Sequence, residues 1–141
     1  MHEKEPTMSS ALARRWFEDV WNKRNEKAID ELAHPDTVAC HEWGEVKGLE
    51  SFRSMRAEFL SAMPDLVFHV EDTCEDGKGN VIVRWVLRGC HTGKGLGCLA
   101  TGHKVNTRGI TWMVFENGKI VKGWDAFNFD AMKMLLAGKA R

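Results

Sequence analysis

The 141 residues carry 20 Lys plus Arg against 20 Asp plus Glu, so the formal net charge is zero and no global field favours nucleic acid or an anionic membrane. With 43% hydrophobic and 28% charged residues, the chain reads as one soluble globular domain rather than a disordered one. No apolar run approaches the roughly 20 residues of a membrane span.

Residues 1–10 are polar, lack the apolar stretch of a signal peptide and read as a disordered leader. Residues 11–138 read as the single domain. Ser9 and Ser10 are N-cap candidates for a helix over 11–24. Leu12, Trp16 and Val20, with Ala13, Phe17 and Trp21 beside them, give that helix an aromatic face. Asn25 is its expected stop. A short helix over 26–32 ends before His34-Pro35, because the residue preceding proline disfavours helix. Residues 37–43 alternate as a strand, with Thr37, Ala39, His41 and Trp43 on one face. Gly44 and Gly48 bracket a loop. A third helix covers 49–63 and stops at Pro64-Asp65.

From Leu66 the period becomes two. A strand over 66–74 places Leu66, Phe68 and Val70 together, and Asp76-Gly77-Lys78-Gly79-Asn80 is a hairpin turn. The strand over 81–91 faces Val81, Val83, Trp85, Leu87 and His91 inward. A glycine-rich connection over 92–104 reads as a flexible rim loop. The strand over 105–115 faces Gly109, Thr111, Met113 and Phe115 inward. After the turn at 116–119, the last strand puts Val121, Gly123, Asp125 and Phe127 on one face. A helix over 128–137 carries Phe129, Met132, Leu135 and Leu136. Helices first and antiparallel strands after them give an α+β chain, its curved sheet wrapped around the N-terminal helices. The outer sheet face mixes Arg84, Val86, Ile110, Trp112 and Trp124, and its tryptophans suggest a homodimer interface.

Asp125 is the residue that needs explaining. A carboxyl on an apolar strand face is costly unless it is paired, neutralised or used. If it faces an apolar cavity, desolvation lifts its pKa toward neutrality. It can then take a proton from the carbon next to a carbonyl and return it elsewhere. An aspartate paired with an arginine or histidine is the plain structural alternative. His41 and His91 also point inward, where each serves either as a satisfied core residue or as an assistant. No metal-binding spacing joins the histidines, no P-loop surrounds Gly93-Lys94-Gly95, and no serine sits in a nucleophile elbow, so no metal or cofactor is expected. Cys40, Cys74, Cys90 and Cys98 form no C-x-x-C pair and read as reduced, mostly buried thiols of a cytoplasmic protein.

The segments Arg15-Trp16-Phe17-x3-Trp21-Asn22, Pro64-Asp65-Leu66, Val83-Arg84-Trp85, Gly89-x-His91-Thr92-Gly93-x3-Gly97, Thr101-Gly102 and Gly118-Lys119-Ile120-x3-Trp124-Asp125 resemble, in order and spacing, the SnoaL-like polyketide cyclases (also described as ester cyclases) of the nuclear-transport-factor-2-like superfamily. The resemblance implies a cone-shaped α+β barrel with a deep apolar pocket, a homodimer and no cofactor. It makes Asp125 the general acid/base of an aldol-type ring closure or an isomerisation of a hydrophobic carbonyl compound. His41 and His91 would assist, and Trp43, Trp85, Thr111, Met113 and Phe127 would line the pocket. Where the cyclases place a glutamine and a histidine on the preceding strand, this chain has Gly109 and Thr111. An epoxide-hydrolase-like enzyme and a non-catalytic binding or dimerisation module are the alternatives on the same fold.

Overall fold

The computed structural model describes residues 8–97 and 99–127. The expected leader up to residue 7, Cys98 and the expected helix over 128–137 lie outside the described residues. The elements are α1 (Met8–Arg15), a π-helical segment (Trp16–Asn22), α2 (Lys27–Leu32), β1 (Ala33–His41), β2 (Gly44–Lys47), α3 (Glu50–Ala62), β3 (Val67–Glu75), β4 (Asn80–Cys90), β5 (Lys104–Glu116) and β6 (Lys119–Ala126). The six strands form one curved, unclosed sheet in the order β2-β1-β6-β5-β4-β3.

Helices over one face of a sheet bear out the α+β reading, with three corrections of detail. Residues 44–47 form β2 rather than a loop, and pair antiparallel with β1 from Val38↔Lys47 to His41↔Gly44. β1 runs parallel to β6, so the sheet is mixed. Strands this far apart in sequence are not joined by a tight turn, so no hairpin imposes antiparallel pairing on them. Along β6, Phe115↔Ile120 and Val114↔Lys122 leave Val121 as an extra residue. This bulge resets the alternation and turns Ile120 inward, while Gly123 and Asp125 keep the expected face.

The first helix begins at Met8, so Ser9 and Ser10 lie inside it instead of capping it. Ser10 is buried and its hydroxyl donates to Glu75 at 2.9 Å. From Trp16 the helix widens into π geometry, closed by Lys23 N–H donating to the Glu18 carbonyl at 2.8 Å. This segment buries Trp16, Phe17, Val20 and Trp21 against the concave sheet face. The Val20 carbonyl accepts from Nε of the buried Arg56 at 3.0 Å. Burial holds that guanidinium below its usual pKa. Asn22 pairs with the backbone of edge strand β3, donating to the Phe68 carbonyl and accepting from the Phe68 N–H, both at 2.8 Å. The side chain thus imitates one rung of a missing strand and covers part of that edge. Arg24, at φ 56°, takes the left-handed turn after the helix, one residue before the expected stop at Asn25.

The core joins Trp21, Phe59, Phe68, Val83, Trp85, Leu87 and Met113. Phe68 lies 4.9 Å from Trp21 and 5.0 Å from Trp85 between ring centroids, contacts that add about 0.5–1.5 kcal/mol each beyond the area they bury. On the opposite sheet face Ile110, Trp112 and Trp124 are exposed, whereas Val86 is buried. The thiols depart from expectation too: Cys74 is exposed, and Cys40 and Cys90 are half-buried.

The glycine-rich connection after β4 is a docked segment rather than a flexible rim. Gly93 N–H donates to the Ala62 carbonyl at 3.1 Å, and Leu96 N–H donates to Glu58 Oε2 at 2.8 Å. A Cβ at Gly93 would overlap the Ser61 carbonyl oxygen, so the glycine permits close approach to α3.

Candidate active site

Strand register brings the site together. Thr111 on β5 stands opposite Asp125 on β6, and Trp85 on β4 stands opposite Gly109 on β5. Thr111 Oγ1 donates to Asp125 Oδ1 at 2.6 Å, and Trp85 Nε1–H donates to Thr111 Oγ1 at 2.9 Å. The parallel register pairs Cys40 with Trp124, so one residue further along His41 runs beside Asp125.

Asp125 and Thr111 border two cavities, of about 90 and 50 Å³. The larger is lined by Thr37, Ala39, Leu49, Met113 and Ile120, among others, and the smaller by Phe17, Phe59, Phe68, Trp85 and Phe127, among others. Trp16 and Phe52 border both, with ring centroids 4.8 Å apart. Among the described lining residues, Asp125 is the one charged side chain.

The surface of Asp125 is open to water at the cavities, yet protein mass surrounds its carboxyl at longer range. That surrounding mass raises the carboxyl above the usual carboxylate range, opposed first by the Thr111 hydrogen bond and then by the charge of His41. Water at the open side limits the size of the rise. Asp125 forms no ion pair among the described residues.

The expected site residues separate into two groups. Asp125, Thr111, Trp85, Met113 and Phe127 meet at the cavities. His41 lies at the rim, exposed, its ring stacked on Trp43 at 4.9 Å and 6°. Trp43 is 76% exposed and lines neither cavity, because its strand-like run ends at His41 and the chain turns away into β2. His91 is fully buried and also lines neither cavity. Its Nδ1 is 3.0 Å from Thr101 Oγ1, and its carbonyl accepts from the N–H groups of Thr101 and Gly102 at 3.1 and 2.7 Å, which makes it an anchor for the 92–103 segment. Its Nε2 has no partner among the described residues. Trp16 and Phe52 are also wall residues: the sequence places Trp16 on a helix face and gives the 49–63 helix, which carries Phe52, no part in the pocket.

Arg84 and Arg108 lie on the outer face, in a groove with Glu71, and Arg84 Nε pairs with Glu71 at 3.4 Å. Among the described residues no three His, Cys, Asp or Glu side chains gather as metal ligands would. No helix among them is long and apolar enough to cross a membrane.

The family model for SnoaL-like polyketide cyclases matches residues 11–135. The chain belongs to that family. Among solved structures, a protein assigned as a SnoaL-like polyketide cyclase from Jannaschia sp. CCS1 superposes with a TM-score of 0.84 at 21% identity, over 97% of this chain and 98% of that one. AclR of Streptomyces galilaeus, assigned as a hydroxylase, superposes with a TM-score of 0.83 at 25% identity, over 95% and 83% of the two chains. IdmH of Streptomyces antibioticus, assigned as a polyketide cyclase, gives 0.78 at 19% identity over 93% and 99%. No curated protein matches the sequence. The SnoaL-like fold therefore carries proteins assigned to different reactions, and the chemistry has to be argued from Asp125 and its neighbours.

Proposed function

We propose that this member of the family is an acid–base enzyme in which Asp125 takes a proton from the carbon next to a carbonyl in a small hydrophobic compound and returns it elsewhere. The result is an aldol-type cyclisation or an isomerisation. The observation that carries the reading is the isolation of Asp125, the one charged group among the described cavity-lining residues, with a raised pKa and a hydroxyl rather than a cation as its partner. The reading asks for no cofactor, because the carboxyl itself accepts and returns the proton.

The developing enolate oxygen needs a donor. The Trp85 N–H is committed to Thr111, and His91 is remote from the cavities. This leaves His41 at the rim, the Thr37 hydroxyl in the larger cavity and the Trp16 indole N–H, the last two without a side-chain hydrogen-bond partner among the described residues. Neither cavity reaches the roughly 150 Å³ that accommodates a benzene ring, so a ring-bearing substrate has to part Trp16 from Phe52.

The test is a panel of hydrophobic carbonyl compounds and epoxides, with products followed by mass. Conversion of a carbonyl compound without change of mass is the expected result, and no conversion by Asp125→Asn. Addition of water to an epoxide would favour the hydrolase alternative, which needs a second carboxylate and an arginine beside Asp125. Tight binding with no conversion of any compound would favour a binding module.

We also propose that two copies associate through the outer sheet face. Trp112 and Trp124 are exposed there at 44% and 37%, with rings 5.5 Å apart. Light scattering should give twice the chain mass for the native protein and the single-chain mass for Trp112→Glu. A monomeric native protein would refute the dimer.

A further inference from the structure

We infer that Thr111 and Trp85 are positioning residues that decide which oxygen of Asp125 exchanges the proton, with Oδ1 held as an acceptor and Oδ2 left to take up and release it. The inference rests on the reading of Asp125 as the acid–base group and adds a direction to it.

An indole N–H donates and cannot accept. At 2.9 Å from Thr111 Oγ1, the Trp85 N–H therefore occupies an acceptor position on that hydroxyl. A hydroxyl has one proton, and with Trp85 on one side it points at Asp125 Oδ1, 2.6 Å away. That length is in the range of a hydrogen bond to a charged oxygen. Trp85 closes one direction to the Thr111 proton and Asp125 offers it an acceptor in another, so the chain runs from Trp85 through Thr111 to Asp125. A proton arriving on Oδ1 would meet the proton of Thr111. Thr111 could make room only by turning its O–H away from the carboxyl, which gives up the acceptor that the hydroxyl has among the described residues. A proton on Oδ2 disturbs neither bond. The carbon acid has to approach Oδ2, and the protonated form has to present its O–H from there.

Both positioning residues are held rigidly. Thr111 is buried and β-branched, so its χ1 is restricted. The Trp85 ring is packed by Phe17, Phe68 and Phe127, with centroids 6.4, 5.0 and 5.6 Å away. It also lies across Gly109, where a Cβ would overlap its six-membered ring. The bond from Thr111 favours the charged carboxylate, against burial, which disfavours it. His41 on β1 is the other titratable group among the described residues whose charge acts on Asp125.

Titration of the Asp125 carboxyl by carbon-13 NMR on aspartate-labelled protein tests this, with Asp125→Asn identifying the signal. Thr111→Val keeps the shape and removes the donor, so the carboxyl should hold its proton about tenfold more tightly or better. Thr111→Ser should restore the native midpoint. Trp85→Phe, which frees the Thr111 hydroxyl to rotate, should move the midpoint the same way as valine but less. Should Thr111→Val not fold, Thr111→Ala carries the same expectation. An unchanged midpoint in the valine or alanine variant, or a shift that serine does not reverse, would overturn the assignment. The titration uses no substrate, so absence of turnover would count against the acid–base reading alone.

Discussion

Asp125→Asn should reduce turnover by a factor of about 10²–10⁴ and leave the fold intact, because an amide of nearly the same shape cannot exchange the proton. Asparagine Oδ1 still accepts from Thr111, so the strand contact survives the change. The variant also removes a carboxylate that the surrounding protein disfavours. The native carboxyl holds its proton more tightly than the unfolded chain, whose value is about 3.8. Between that pH and the raised native value, the folded state therefore binds more protons than the unfolded state. The contribution of this group to stability is highest at low pH and falls as pH rises through that window. Asp65 and Asp76 behave in the opposite sense, their pKa lowered first by backbone N–H groups of Cys90 and Lys78, and they are common to both proteins. Urea midpoints measured across a pH series, native minus variant, isolate the Asp125 contribution. That difference should decline with rising pH. A flat difference would mean that Asp125 is not raised, and undiminished turnover in the variant would end its role as acid and base.

Period-two segments were the most legible part of the chain. Val81, Val83, Trp85 and Leu87 are buried on one face of β4, and Thr111, Met113 and Phe115 on one face of β5, because a half-buried strand writes its orientation into alternate residues. Asp125 was visible for the same reason, as an acid where apolar residues alternate. What alternation could not convey was interruption of the period. The bulge at Val121 turns Ile120 inward, and nothing in Gly118-Lys119-Ile120-Val121 marks which residue is extra. β2 was missed because Gly44-Glu45-Val46-Lys47 has a single apolar residue, and its pairing with β1 supplies what its composition lacks. His91 had the inward parity and the wrong position, whereas Trp43 lies past the end of β1, where parity no longer sets a face. Parity gives the face of a strand, whereas distance along it decides whether a residue reaches the cavity. The larger omission was Gly109. In sequence it reads as a lost polar side chain, while in the fold it faces Trp85, whose N–H supports the chain to Asp125.

That exchange makes Gly109→Val the substitution with the largest expected effect on stability, about 2–3 kcal/mol or more. The new side chain would begin inside the space of the Trp85 indole, with the ring carbon Cε2 only 2.9 Å from its Cβ. The indole cannot retreat cheaply, since Phe17, Phe68 and Phe127 pack around it. If the ring does move, the Trp85–Thr111 bond breaks and the Thr111 hydroxyl loses its fixed direction. Stability and proton exchange should therefore fail together, which distinguishes this glycine from Gly93, whose close contact is with the Ser61 carbonyl away from the cavities. A double-mutant cycle separates the ring from other causes: Gly109→Val in the native background and again in Trp85→Leu, each followed by urea unfolding. The cost should fall by more than half once the indole is gone. An equal cost in both backgrounds would show that something other than Trp85 requires a glycine. A reduced cost would mean that β5 gave up its own side chain at this position so that β4 could send an indole N–H across it. The support for the acid at Asp125 then comes from the neighbouring strand, and no residue that fills position 109 can be tolerated while Trp85 stays.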